Sequence, residues 1–259
     1  MSFILSKDAA LYYEEYGSGE TLILLPGLLG TIESHWRRFI PDFARHFHVI
    51  AIDLRGHGKT NNPSGHLTLS MFIEDLHTLY DSLQIERASL CGYSLGGYIG
   101  LAYGLRNPSK VRSLVMHGTK FFWTEAAVKA VVKDFDPVTI MQKVPAWGES
   151  LQREHEPGNG RDGWKHLLKT SSLFIESMQR EGIAQTDLAR ATFPIAVSLG
   201  DADEMIPREE AERLVSLLPD ARLSIMNNTR HPMQSVQKVP FLDFARSFFG
   251  NDSPQGGIR

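Results

Sequence analysis

Short apolar runs alternate along this chain with stretches of helical periodicity. Residues 2–6 and 10–16 predict a two-stranded hairpin, the second strand rich in residues that favour extended backbone. Residues 21–25 and 47–53 are nearly unbroken apolar runs, the pattern of strands covered on both faces. Residues 88–92, 111–117, 193–199 and 221–226 repeat it. A helix is expected over about 34–45. Leu69, Phe72, Ile73, Leu76, Leu79, Tyr80 and Leu83 mark the apolar face of another over 68–84. Pro207, Glu209 and Glu210 open a further helix, with carboxylates at its positive dipole end. Phe241, Leu242, Phe244, Ala245, Phe248 and Phe249 belong to a closing one. This alternation predicts the α/β class: a mostly parallel, doubly wound sheet whose sites lie beyond the C-terminal strand ends.

The rhythm breaks between about 120 and 190. Helix-like stretches at 124–134, 138–142, 147–154 and 164–181 follow one another with no strand between them. We expect a helical cap over 120–189, inserted into a core formed by 1–119 and 190–250, and a disordered tail over 251–259. Gly158, Gly160 and Gly163 are expected to form a flexible joint in the cap. Trp123, Trp147 and Trp164 all fall in or beside it. Trp164 stands at helical spacing with Leu167, Leu168, Ser171 and Phe174 and reads as packing. Phe121, Phe122 and Trp123 directly follow a strand's C-terminal end, so they are candidates for lining a pocket, as is Met205 on a later loop.

Composition narrows the class. Of 259 residues, 42% are hydrophobic and 22% charged, enough for a substantial core. A formal net charge of −3 gives no electrostatic case for nucleic acid or an anionic membrane. The single cysteine, Cys91, excludes an internal disulfide and fits a reducing compartment. Lys7 and Asp8 interrupt the first apolar residues too early for a secretory signal, and no run approaches the roughly 18 apolar residues of a membrane span. The cytoplasm is the expected compartment.

The chemistry concentrates at Gly92-Tyr93-Ser94-Leu95-Gly96, where an apolar strand stops and a small-residue helix begins. Gly-x-Ser-x-Gly at such a junction is a nucleophile elbow, a tight turn that thrusts the serine hydroxyl outward. The glycines are needed where a Cβ would collide with the crossing strand and helix. Serine is a poor nucleophile unless a base such as histidine, itself oriented by a carboxylate, accepts its proton. Of ten histidines, His231 lies in a short loop between the last strand and the last helix, from which it can reach back over Ser94. His57 is the runner-up, explained equally by its glycine-flanked turn. Asp201, Asp203 and Glu204 lie just after the preceding strand and are all candidates for the carboxylate. Gly58-Lys59-Thr60 invites a phosphate-loop reading, but that motif needs a glycine where Asp53 stands. A turn capped by Asp53 is the better account. No metal or other cofactor is expected.

The chain resembles the α/β-hydrolase superfamily with a helical lid, over about residues 10–250. The resemblance rests on Pro26-Gly27-Leu28-Leu29-Gly30, on Asp53-Leu54-Arg55-Gly56-His57-Gly58-Lys59-Thr60, on the elbow, and on the Gly200–Pro207 run before His231. It implies the triad Ser94, Asp203 and His231, selecting Asp203 because the family's acid lies three residues after that glycine. It also implies an oxyanion hole from the backbone N–H groups of Leu28 and Leu95. Pro26 replaces a histidine common in the family, a change expected to alter loop support and leave the hole intact. The implied function is hydrolysis of a small to medium apolar carboxylic ester, a small-molecule substrate. Carbon–carbon bond hydrolases, lactonases, thioesterases and the menaquinone-pathway lyase share the triad, and hydrolase-like hormone receptors keep it for ligand sensing.

Overall fold

The computed structural model describes residues 2–250; the tail expected from 251 lies outside them. Eight strands, β1 (Ser2–Ser6), β2 (Ala9–Tyr16), β3 (Thr21–Leu25), β4 (His48–Ile52), β5 (Ala88–Tyr93), β6 (Val111–His117), β7 (Ile195–Gly200) and β8 (Ala221–Met226), form one sheet. Its order is β1-β2-β4-β3-β5-β6-β7-β8. The first two joints are antiparallel, and every pairing from β4 to β8 is parallel. The helices are α1 (Ile40–Phe43), α2 (Leu69–Ser82), α3 (Leu95–Arg106), α4 (Glu125–Val132), α5 (Pro137–Lys143), α6 (Pro145–Asn159), α7 (Gly163–Glu181), α8 (Arg208–Leu217) and α9 (Lys238–Gly250).

Each central strand feeds two cores. Ile23 and Leu25 of β3 join one that includes Leu76, Ile99 and Leu214 from α2, α3 and α8. Leu22 and Leu24 of the same strand join the other, with Phe43 of α1 and Phe241 and Phe249 of α9. The period-2 alternation thus buries both faces, which is why the strand reads as a continuous apolar run. Among the described residues no helix is long and apolar enough to cross a membrane.

The helix expected over 34–45 is divided. Residues Ile32–Trp36 form a single wide turn opened by Thr31, whose side chain accepts from Ser34 N–H, and α1 starts afresh with Pro41 in its first turn. Proline lacks an N–H and tolerates only the start of a helix, so it forces a second beginning. The post-β4 turn closes on Asp53, whose carboxylate accepts from the N–H groups of Ile32 at 2.8 Å and Lys59 at 2.9 Å. Gly56 and Gly58 adopt φ of +77° and +52° there.

Helices α4 to α7 are inserted between β6 and β7. The expected glycine joint has a different character. Helix α6 runs through Pro157 and Gly158 to Asn159. Gly158 N–H donates to Gly58 O at 3.1 Å, and a Cβ at Gly158 would sit 2.6 Å from that oxygen. Close approach of two backbones, not mobility, calls for glycine at this position. Gly160, at φ +76°, ends the helix.

Candidate active site

The site is assembled at the C-terminal rim of β5, β7 and β8. Ser94 sits between β5 and α3 at φ +50° and ψ −117°, a conformation that costs a non-glycine residue on the order of 1–3 kcal/mol. The surroundings hold it. Ser94 N–H donates to His117 O at 2.8 Å, and Thr119 Oγ1 donates to Ser94 O at 3.1 Å. A Cβ at Gly96 would lie 2.1 Å from Leu25 O, and one at Gly92 would lie within 2.3 Å of Gly97 N. The two glycines therefore let β3, β5 and α3 meet closely enough to force the turn.

His231, in the loop after β8, places Nε2 3.4 Å from Ser94 Oγ and Nδ1 2.9 Å from Asp203 Oδ2. Asp203 Oδ1 accepts from the N–H groups of Met205 at 2.9 Å and Ile206 at 3.0 Å. Burial pushes its carboxyl up, but the hydrogen bond and charge of His231 and these two N–H groups outweigh burial and leave it below its ordinary value. The other two acids do different work. Asp201 accepts from Thr229 N–H, and Glu204 accepts from His231 N–H while pairing with Arg230. Both hold the backbone of the histidine loop; of the three, only Asp203 bonds to the imidazole.

Among the described residues His57 makes no hydrogen bond to Ser94, Asp203 or His231. It is fully buried, with Nδ1 against Arg55 O at 2.9 Å, and burial lowers its pKa to about 3.

The loop after β3 carries Leu28 and Leu29. Gly30 N–H closes a turn onto Gly27 O at 3.1 Å, and Leu29 takes a left-handed φ of +61°. Among the described residues neither Leu28 N–H nor Leu95 N–H, at the start of α3, has a hydrogen-bond partner within the protein. Two unspent donors beside a serine hydroxyl are what an oxyanion requires.

A cavity of about 1110 Å³ opens over Ser94 and His231. Leu28, Tyr98, Val131, Ile140, Trp147 and Leu151 give it mostly apolar walls. Trp123 and Met205 line it; Phe121 and Phe122 do not. Glu210 Oε1 accepts from both their backbone N–H groups, at 2.9 and 3.0 Å, and Phe121 turns inward against Tyr98 with ring centroids 5.8 Å apart. Sequence reasoning passed over His35, which also lines the cavity. Its Nδ1 accepts from Gly27 N–H at 3.1 Å, so the neutral ring carries its proton on Nε2. Burial, reinforced by His57, His231 and His155, lowers its pKa to about 3. No spacing or periodicity in the sequence marks this residue.

The family model described as alpha/beta hydrolase fold matches residues 20–176. The chain belongs to the α/β hydrolase fold family. It is a serine hydrolase of that fold, acting on a small molecule. It is similar to 2-hydroxy-6-oxo-2,4-heptadienoate hydrolase of Pseudomonas putida, at 28% identity covering 95% of this chain and 94% of that protein. It is also similar to 3-oxoadipate enol-lactonase 2 of Acinetobacter baylyi, at 31% identity covering 86% and 87%. Among solved structures, a carboxylesterase crystal structure from Nitrososphaera gargenis superposes with a TM-score of 0.82, at 18% identity and 97% and 99% coverage. At that identity the likeness concerns the fold. Within the α/β hydrolases, insertion of helices between the sixth and seventh strands of this sheet is the shared architecture.

Proposed function

We propose that this hydrolase cleaves carboxylic esters of small to medium apolar acyl groups through an acyl-enzyme on Ser94. His231 takes the hydroxyl proton, Asp203 holds the imidazole tautomer, and Ser94 attacks the ester carbonyl. The oxyanion receives the N–H groups of Leu28 and Leu95. The alcohol leaves with the proton from His231. Water, deprotonated by the same imidazole, then releases the acid and restores the serine. The 3.4 Å separation of Ser94 and His231 suits a resting site whose catalytic hydrogen bond tightens with substrate bound. Residues 120–189 serve as a lid on a core of 1–119 and 190–250, since side chains from α4, α5 and α6 roof the cavity. The observation that carries this reading is the chain of hydrogen bonds from Ser94 through His231 to Asp203 at the floor of a largely apolar cavity.

Carbon–carbon bond hydrolysis is the second reading, favoured by the name of the Pseudomonas putida relative, whose substrate is a dienoate. Among the described residues no arginine lines the cavity to grip such a carboxylate; of its three lysines Lys120 is tied to Glu210 at 2.8 Å, and Lys133 and Lys143 are exposed in the helical insertion. The deciding experiment compares kcat/KM for p-nitrophenyl esters of two to twelve carbons with that for a 2-hydroxy-6-oxo-dienoate. At least tenfold higher values for the shorter esters are expected; the reverse order assigns the protein to the second reading.

A further inference from the structure

Helix α6, part of the insertion, grips the two loops that follow β3 and β4. Thr31 Oγ1 donates to Glu154 Oε2 at 2.9 Å, Asn159 Nδ2 donates to Thr60 O at 3.1 Å, and Gly158 N–H donates to Gly58 O at 3.1 Å. At the centre is His155, fully buried although it belongs to the insertion. Its Nδ1 lies 2.8 Å from Gly58 N and its Nε2 lies 3.2 Å from Leu29 O. A backbone N–H can only donate, so Nδ1 is the acceptor, and the single proton of the neutral ring must sit on Nε2, pointed at Leu29 O. Burial keeps the ring neutral by lowering its pKa to about 4.

Leu29 is the residue held at φ +61° without being glycine. Its carbonyl is gripped by His155 while its own N–H belongs to the peptide that follows Leu28. A left-handed leucine relaxes unless its surroundings hold it, and relaxation would swing the adjoining peptides.

We propose that His155 is a positioning residue for the oxyanion hole. By binding Leu29 O it keeps the β3 loop in the conformation that leaves Leu28 N–H free and aimed at the cavity, so the hole is complete only when the inserted helix is docked. This rests on the reading of Leu28 as an oxyanion donor.

Two substitutions separate the two hydrogen bonds. His155→Asn keeps an acceptor near the position of Nδ1 but cannot reach Leu29; His155→Gln can carry an N–H to the position of Nε2. The expected result with a p-nitrophenyl ester is a roughly tenfold to hundredfold fall in kcat for H155N at nearly unchanged KM, below the ~10²–10³-fold cost of deleting a donor outright. H155Q is expected to recover a large part of it. Binding of a boronic acid that forms a tetrahedral adduct should weaken in step with kcat. A purely structural histidine would penalise both variants alike. Equal kcat for H155N and H155Q, or wild-type kcat for H155N, overturns the proposal. Should H155N fail to fold, Gly158→Ala takes its place, because its methyl would meet Gly58 O at 2.6 Å and push α6 away from the loop. Wild-type kcat in that variant likewise overturns the proposal. Turnover that survives Ser94→Ala would instead remove the reading of an acyl-enzyme on Ser94 and of the oxyanion site beside it, so the two failures are distinguishable.

Discussion

The Tyr93 hydroxyl donates to the carbonyl oxygen of His231 at 2.8 Å, so the residue preceding the elbow serine holds the loop that carries the imidazole. The phenol ring lies edge-on to His35 at 4.7 Å and faces His117 at 6.1 Å, which leaves it little freedom. Nucleophile and base are thus registered to each other through adjacent residues of one strand end, although 137 positions separate Ser94 from His231.

Tyr93→Phe removes only that donor. The variant should lose about 1 kcal/mol of stability, the usual net value of such a bond. Its kcat is expected to fall severalfold while KM stays near the wild-type value. Thermal unfolding and steady-state kinetics on the same preparation check both parts.

Asp203→Asn presents an amide where the imidazole needs an acceptor, favouring the tautomer with Nε2 protonated and unable to take the serine proton. A loss of kcat of about 10⁴-fold is expected, with a native circular dichroism spectrum. Asp201→Asn and Glu204→Gln leave the bond to the imidazole intact and should each cost far less; equal losses across the three would contradict the assignment.

Several parts of this arrangement are legible in the sequence because they are local. The doubly wound sheet follows from apolar runs whose alternate side chains enter different cores, as Leu22 and Ile23 do. The elbow follows from three residues and a change of periodicity. Other parts depend on partners remote in the chain. Phe121 and Phe122 follow a strand end as plainly as Trp123 does, yet Glu210 from α8 holds their backbone N–H groups and neither lines the cavity. Gly158 resembles a hinge until Gly58 is seen against it. His35 and His155 carry no mark of their own, because their surroundings are contributed by loops that periodicity does not describe.

Acid should destabilise the fold above the carboxylate range. His57, His117 and His155 are buried, and burial lowers their pKa values to about 3, 4 and 4. Unfolded, each returns to about 6.5. Between pH 6.5 and about 4 the unfolded chain therefore binds up to three more protons than the folded one at these rings, and a further one at His35, so stability is greatest above 6.5 and falls as pH falls through that window. Each group contributes up to about 1.4 kcal/mol per pH unit. Melting temperatures measured from pH 7 to 4.5 should drop steeply, and more shallowly for His57→Gln; a flat profile would contradict burial of neutral rings.

A buried ion pair close to His57 also contributes to stability. Arg55, 1% exposed, binds Asp75 through Nε at 2.9 Å and through Nη2 at 2.6 Å. Asp75→Ala leaves a buried guanidinium with Asp8 as its remaining carboxylate partner, and the expected loss is about 3 kcal/mol or more in denaturant unfolding.

Labelling with a fluorophosphonate, followed by peptide mass spectrometry, is the most direct measurement of whether position 94 is the nucleophile. The expected result is one adduct, on the peptide containing Ser94, absent from Ser94→Ala and formed much more slowly in His231→Ala. A reagent that leaves Ser94 unmodified in the active wild-type protein, or an adduct elsewhere that tracks the loss of esterase activity, would contradict the account.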